Sequence, residues 1–205
     1  MRVMAIGVNC YYEPHGPPEK PGQFTEWVAL RRYRFFKGVA SECSTLALGV
    51  AELGLWPGRT PVGAPEDPSG LYVTNAVKRY LPSAEGKKAA QVQEAWFTEG
   101  RKVFRAELAC LADHGALPHL VVVFGRAAWG HVWPEFYGAD APEWVLDYQS
   151  QPRDSKLFHY VNVVTVAGAQ GPRPLLLVGL TQPSTSRRMS AERMVHELKR
   201  QTPET

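Results

Sequence analysis

"PLLLVGLTQPSTSRRMSAERM", residues 174–194, decides the reading of the fold. An unbroken aliphatic run from Leu175 to Leu180 empties into a small polar loop, and a helical pattern opens at Ser190, a residue type suited to an N-cap. A strand with one wet face alternates apolar and polar residues. A strand that is aliphatic throughout is covered on both faces, as in a parallel sheet between helical layers. The same order of strand, punctuation and helix recurs upstream. "PHLVVVFG" (residues 118–125) is bounded by Pro118 and Gly125, and "RAAWGHVW" starts a helix directly after that glycine. Arg2 to Val8 reads as a strand ending at Gly7-Val8-Asn9, and "LYVTNAV" (Leu71 to Val77) reads as another. "KLFHYVNVVTVAG" (156–168) and "RPLLLVGL" (173–180) are strands either side of a Gly/Pro turn.

Helical patterns fill the gaps. "SECSTLALGVAELGL" (41–55) has Ser41 or Glu42 near its start and Gly54 near its end, and a long amphipathic pattern covers Gln91 to His114. "FTEWVALRRYRFFKGV" (24–39) gives mixed signals. Pro/Gly-rich loops occupy residues 10–23 and 56–70. The alternation predicts an α/β three-layer sandwich: a central, mostly parallel sheet of four to five strands flanked by helices, in a single domain over residues 1–205.

The totals exclude several classes. The 205 residues are 44% hydrophobic and 21% charged with a net charge of +3, an ordinary globular composition. Cys10, Cys43 and Cys110 are far apart, offer no C-x-x-C ligand pair for zinc or an iron–sulfur cluster, and fit a reducing, cytoplasmic compartment. No apolar stretch reaches the roughly 20 residues a membrane helix needs. There is no G-x-G-x-x-G after a strand, no P-loop and no G-x-S-x-G elbow, so neither a cofactor nor a serine nucleophile is expected. Basic clusters lie at 31–37, 100–102 and 187–188, each by itself compatible with a solvated face. His114 and His119 flank a Gly/Pro loop and read as surface residues; the six tryptophans read mainly as core.

In open α/β sheets ligands bind beyond the carboxyl ends of the strands. Three strand ends here carry polar side chains: Asn9 with Tyr11 and Tyr12; Asn75 with Lys78; and Gln182 with Ser184, Ser186 and Arg187. An Asn or Gln amide presents a donor and an acceptor in one plane. Several of them around one pocket suit a planar heterocycle with alternating N–H and C=O edges, as in sites that hold a flipped base. Taken singly, an Asn at a strand end is more often a turn or cap residue.

At these positions the chain resembles the uracil-DNA glycosylase superfamily. "GVNCYYEPHG" (7–16) is similar to its first motif, "LYVTNAVKRYLP" (71–82) to its "TN-x-VK" stretch, "LVVVFGRAAW" (120–129) to its strand "vvvLG-x-x-A", and "LTQPSTSRR" (180–188) to its third motif, His-Pro-Ser. The resemblance implies a role for each matching residue. Asn9 would position the attacking water. Tyr11 would exclude the thymine methyl. Phe35 or Phe36 would stack on the base, and Asn75 would read its edge. Gln182 would stabilise the departing base anion. Lys78, Ser184, Ser186, Arg187 and Arg188 would contact DNA. Breaking an N-glycosidic bond puts positive charge on the sugar and negative charge on the base, which is why hydrogen-bond donors aimed at the base oxygen suit the reaction. Cys10 stands where the family has Pro, Gln182 where it has His, and the four-cysteine cluster of some branches is absent. The expectation is therefore a monomeric DNA glycosylase needing no metal or cofactor, acting on damaged or single-stranded DNA. The other reading is a protein of the same fold that binds nucleic acid or a nucleobase without turnover.

Overall fold

The structure, a computed structural model, describes residues 2–11, 34–52, 70–81, 94–137, 159–166, 171–180 and 190–201. The elements in chain order are β1 (Val3–Tyr11), α1 (Arg34–Glu52), β2 (Leu71–Leu81), α2 (Glu94–Asp113), β3 (Leu120–Phe124), α3 (Arg126–Val132), α4 (Pro134–Tyr137), β4 (His159–Val166), β5 (Arg173–Leu180) and α5 (Ser190–Gln201). The sheet has five strands in the order β2-β1-β3-β5-β4. β2, β1, β3 and β5 run parallel, and β4 closes one edge antiparallel to β5. This is the expected three-layer arrangement with a mostly parallel sheet.

Strand alternation assigns the layers. Met4, Ile6, Val121, Val123, Leu175 and Leu177 pack against Phe97 and Phe104 of α2 and Trp129 of α3. Val3, Ala5, Leu120, Val122, Phe124, Leu176, Val178 and Leu180 pack against Val39, Cys43 and Leu46 of α1 and Ala191 and Met194 of α5. Neighbouring residues of β5 are thus buried on opposite faces, the physical reason its sequence is uniformly aliphatic. Trp129 and Trp133 are core residues, as their composition suggested.

Three elements run further than the sequence signals. The first helix starts at Arg34, not at Ser41, so Glu42 sits inside it and is 3% exposed. β1 and β2 continue to Tyr11 and Leu81, past the expected ends at Asn9 and Val77. The reason lies in the pairing. Asn9 pairs with Val77, but Cys10 pairs with Tyr80. Lys78 and Arg79 are the extra residues of a bulge within a longer ladder. A bulge breaks the local pattern much as a strand end does, and bulges often re-aim side chains beside functional sites.

Helix α2 lies unusually close to β2. A Cβ built on Gly100 would stand 2.0 Å from the Ala76 carbonyl oxygen, so only glycine lets the helix approach the strand this closely. The basic "GRK" stretch thus opens with a packing residue; Arg101 is half-buried, with a guanidinium nitrogen 3.7 Å from Glu94, and Lys102 is exposed.

Candidate functional site at the carboxyl edge of the sheet

The strand order reverses between β1 and β3, since the chain passes from β1 to β2 on one side and then returns to β3 on the other. In open α/β sheets ligands bind at such a switch point, outside the carboxyl ends of the strands. At the carboxyl edge of the sheet, Gly7, Asn9 and Tyr11 lie on β1, Asn75 and Lys78 on β2, Gly125 follows β3, and Leu180 ends β5.

Two of the amide residues come together across the β1–β2 pair. Asn75 pairs with Gly7, and Asn9 pairs with Val77, two positions further along. With neighbouring strands about 4.8 Å apart and a rise of about 3.3 Å per residue, the two backbones lie within roughly 8 Å of each other. The Asn75 side chain is half-buried, and its Oδ1 would be 2.7 Å from any Cβ at position 7. The glycine leaves the space that the Asn75 amide occupies. Thr74, next to it, is buried on the opposite face, with its hydroxyl 3.3 Å from both carboxylate oxygens of Glu107.

The other expected site residues are distributed as follows. Phe35 and Phe36 are in the first turn of α1, and Lys78 is in the β2 bulge; the directions of their side chains, and those of Asn9 and Tyr11, lie outside the described structure. Gln182, Ser184, Ser186, Arg187 and Arg188 fall outside the described residues, between Leu180 of β5 and Ser190 of α5. Both ends of that segment are described. The Leu180 carbonyl accepts the Gly125 N–H at 2.7 Å, and the Ala191 N–H donates to the carboxylate of Glu42.

Sequence reasoning missed three titratable groups. Glu42 was read as a helix-start residue, yet it is a buried carboxylate; nothing local in the sequence announces it, because its partner is 149 residues away. His119, read as a surface residue, is half-buried, and its Nδ1 accepts the Arg2 N–H at 2.9 Å. Its pKa is lowered by burial and then by the nearby Arg2 and Arg173 charges. His131 of α3 stacks on Phe97 of α2 with ring centroids 3.6 Å apart and planes 12° from parallel. Its Nε2 is 3.6 Å from Glu94, and its Nδ1 is buried with no hydrogen-bond partner. Burial lowers its pKa and Arg101 adds to this, while Glu94 opposes them. Burial and the Glu107 carboxylate push the Tyr72 phenol up to about 12.

The two histidines set a pH dependence. Both fold with pKa values below the ordinary 6.5, so the unfolded chain binds more protons as pH falls. Their contribution is complete above about pH 6.5 and is lost as pH drops through the folded values. Melting temperature is expected to fall between pH 7.5 and pH 5, and His131→Phe, which keeps a ring against Phe97, is expected to shrink that fall. An equal fall in the variant would remove His131 from the account.

Among the described residues, no group of three His, Cys, Asp or Glu side chains could hold a metal ion, and no helix is long and apolar enough to cross a membrane. No family model matches the sequence, and no curated protein is similar to it at a significant level. Among solved structures, a protein described as a candidate tRNA synthase from Salmonella typhimurium LT2 aligns over 98% of this chain at 13% identity and a TM-score of 0.29. The chain spans 41% of that protein's length, and a similarity this low carries no argument about fold or function.

Proposed function

We propose that the chain is a nucleobase-directed hydrolase of the uracil-DNA glycosylase type, removing uracil or another deaminated base from DNA by water attack on the N-glycosidic bond. The observation that supports this reading is the pairing of Asn75 with Gly7 across β1 and β2, next to the switch point of the sheet, with Asn9 two positions along the same ladder. Asn75 reads the base edge, its amide offering donor and acceptor together. Asn9 orients the water, which a neutral amide does by hydrogen bonding without taking its proton. Gln182 follows Leu180 by two residues in the sequence. Its amide N–H donates to the base oxygen as negative charge develops there. Tyr11 limits the pocket beside the base, Phe35 or Phe36 stacks on its face, and Lys78, Ser184, Ser186, Arg187 and Arg188 contact the phosphate backbone of the DNA.

A second reading is a monomer of the same fold that binds nucleic acid without turnover. The types at positions 9 and 182 favour it: amides stand where a carboxylate and an imidazole would move protons.

Incubation with oligonucleotides containing uracil, hypoxanthine, xanthine or a mismatch, followed by detection of abasic sites, separates the two. Abasic sites with one of these bases support the hydrolase; binding without abasic sites supports the second reading; neither defeats both. Binding is expected to depend on salt. With Lys78, Arg187 and Arg188 each neutralising one duplex phosphate, the slope is about −2.7 and affinity falls about 40-fold between 50 and 200 mM salt. A flat salt profile would remove the phosphate contacts.

A further inference from the structure

His119 meets Arg2 at the amino edge of the sheet, opposite the edge that holds the candidate base site. Two hydrogen bonds join the pair in opposite senses. The Arg2 N–H donates to His119 Nδ1 at 2.9 Å, and the Arg2 carbonyl accepts the His119 N–H at 2.8 Å. The Leu120 N–H lies 3.3 Å from the same carbonyl. The Arg2 guanidinium donates to the Gly115 carbonyl just past the end of α2. Arg2 thus gathers the starts of β1 and β3 and the end of α2. A backbone N–H only donates, so the first bond needs a bare Nδ1 and leaves the ring proton on Nε2. A proton on Nδ1 turns that acceptor into a second donor facing the first. Among the described residues, the charges that act on the ring are positive: Arg2, the amino terminus and Arg173 of β5. Asp113 and His114, at the end of α2, are exposed, and His114 Nδ1 lies 2.8 Å from the Cys110 carbonyl of its own helix. His119 is held from its other side too, its carbonyl accepting the Leu176 N–H of β5 at 2.9 Å. Arg2 is exposed and precedes the first residue of β1, so it is the partner that moves.

We propose that Arg2 and His119 form a proton-sensitive clasp at the amino edge: it is closed while Nδ1 accepts the Arg2 N–H, and it opens by release of Arg2 when Nδ1 takes a proton. Burial, followed by the three positive charges, holds the folded His119 pKa below 6.5. The clasp is therefore complete above about pH 6.5 and is lost as pH falls through the folded value. It stands whether or not the opposite edge acts on nucleobases.

Wild type, His119→Asn and His119→Leu are compared in the full chain at pH 7.5 and pH 5. Hydrogen exchange of the amide at position 119, divided by its intrinsic rate at each pH, reports the bond to Arg2. The Val122 amide, in the middle of β3, reports the fold. Wild type loses at least tenfold of the protection at position 119 between pH 7.5 and pH 5, while Val122 stays within threefold. Asparagine offers an amide oxygen near the place of Nδ1 and does not titrate, so His119→Asn keeps its protection within threefold at both values. His119→Leu has lost at least tenfold already at pH 7.5. Equal protection in wild type at the two pH values overturns the proposal, as does a His119→Asn variant that loses protection as wild type does, or a His119→Leu variant protected like wild type. A parallel loss at Val122 makes the event global unfolding and overturns it too. Should neither variant fold, nitrogen NMR of the wild-type ring decides. An unprotonated Nδ1 at pH 7.5 that gains its proton over the interval in which position 119 loses protection supports the clasp, and a ring already carrying the proton on Nδ1 at pH 7.5 overturns it.

Discussion

Gly100→Ala lowers the melting temperature by about 10 °C, and Gly100→Val prevents folding or lowers it further. Helix propensity argues the other way: an alanine in the middle of a helix is favoured over glycine by about 1 kcal/mol. Space decides. The added methyl would meet the Ala76 carbonyl oxygen at 2.0 Å and its carbon at 3.1 Å, well inside contact distance. These are backbone atoms of β2, so no rotamer change relieves the clash, and β2 is held by its ladder with β1. Helix α2 must move instead. It carries Phe97 and Phe104, 3% and 2% exposed, into the core, and Glu107 against Thr74. Overpacking of this kind costs typically 1–3 kcal/mol and sometimes more. With the helix lifted from its seat, the net loss for alanine is set at about 3 kcal/mol, and each kcal/mol shifts the midpoint of a chain this size by about 2–4 °C. Valine adds a branched side chain against the same wall. Thermal or urea unfolding measures both variants, and an alanine variant as stable as wild type would mean that α2 and β2 do not approach this closely.

The sheet was legible for a simple physical reason. Leu175 to Leu180 and Leu120 to Phe124 are buried on both faces, and a strand without a wet face leaves no room for polar alternation. The α2 pattern was equally clear, differing from the expected Gln91 to His114 by a few residues at the start and one at the end. What failed was local. At Lys78 and Arg79 the polar residues of a bulge looked like the end of a strand, because composition does not distinguish an interrupted ladder from a finished one. The start of α1 was hidden by the mixed charge and aromatic content of residues 31–37. Glu42 and His131 were invisible for a different reason. Their character comes from partners on other elements, Ala191 for one and Phe97 with Glu94 for the other, and no spacing along the chain encodes such meetings. Of the candidate site, the nearness of Asn9 and Asn75 was readable, because a parallel β1–β2 pair brings the two strand ends together whatever the exact register.

Asn75→Ala carries the largest functional effect. On the proposed reading the Asn75 amide meets the base edge with a donor and an acceptor, and losing a donor directed at developing charge costs on the order of 3 kcal/mol, roughly a hundredfold in rate. The stability term is smaller. The side chain is half-buried, and removing one hydrogen-bonding group typically costs about 1 kcal/mol. Asn75→Ala is thus expected to fold, to melt within a few degrees of wild type, and to lose about a hundredfold in single-turnover release of the base, or in affinity for the base-containing duplex if release is absent. Gly7→Ala gives an independent test through the same amide. Its methyl would stand 2.7 Å from Asn75 Oδ1, so the amide must turn away while every atom of Asn75 is retained. The two variants should therefore fail alike in function, and the double variant should be little worse than Asn75→Ala, since the second change has nothing left to displace. Full activity in folded Asn75→Ala removes Asn75 from the site. Additive losses in the double variant would mean that Gly7 matters for the backbone of β1 and not for the placement of Asn75.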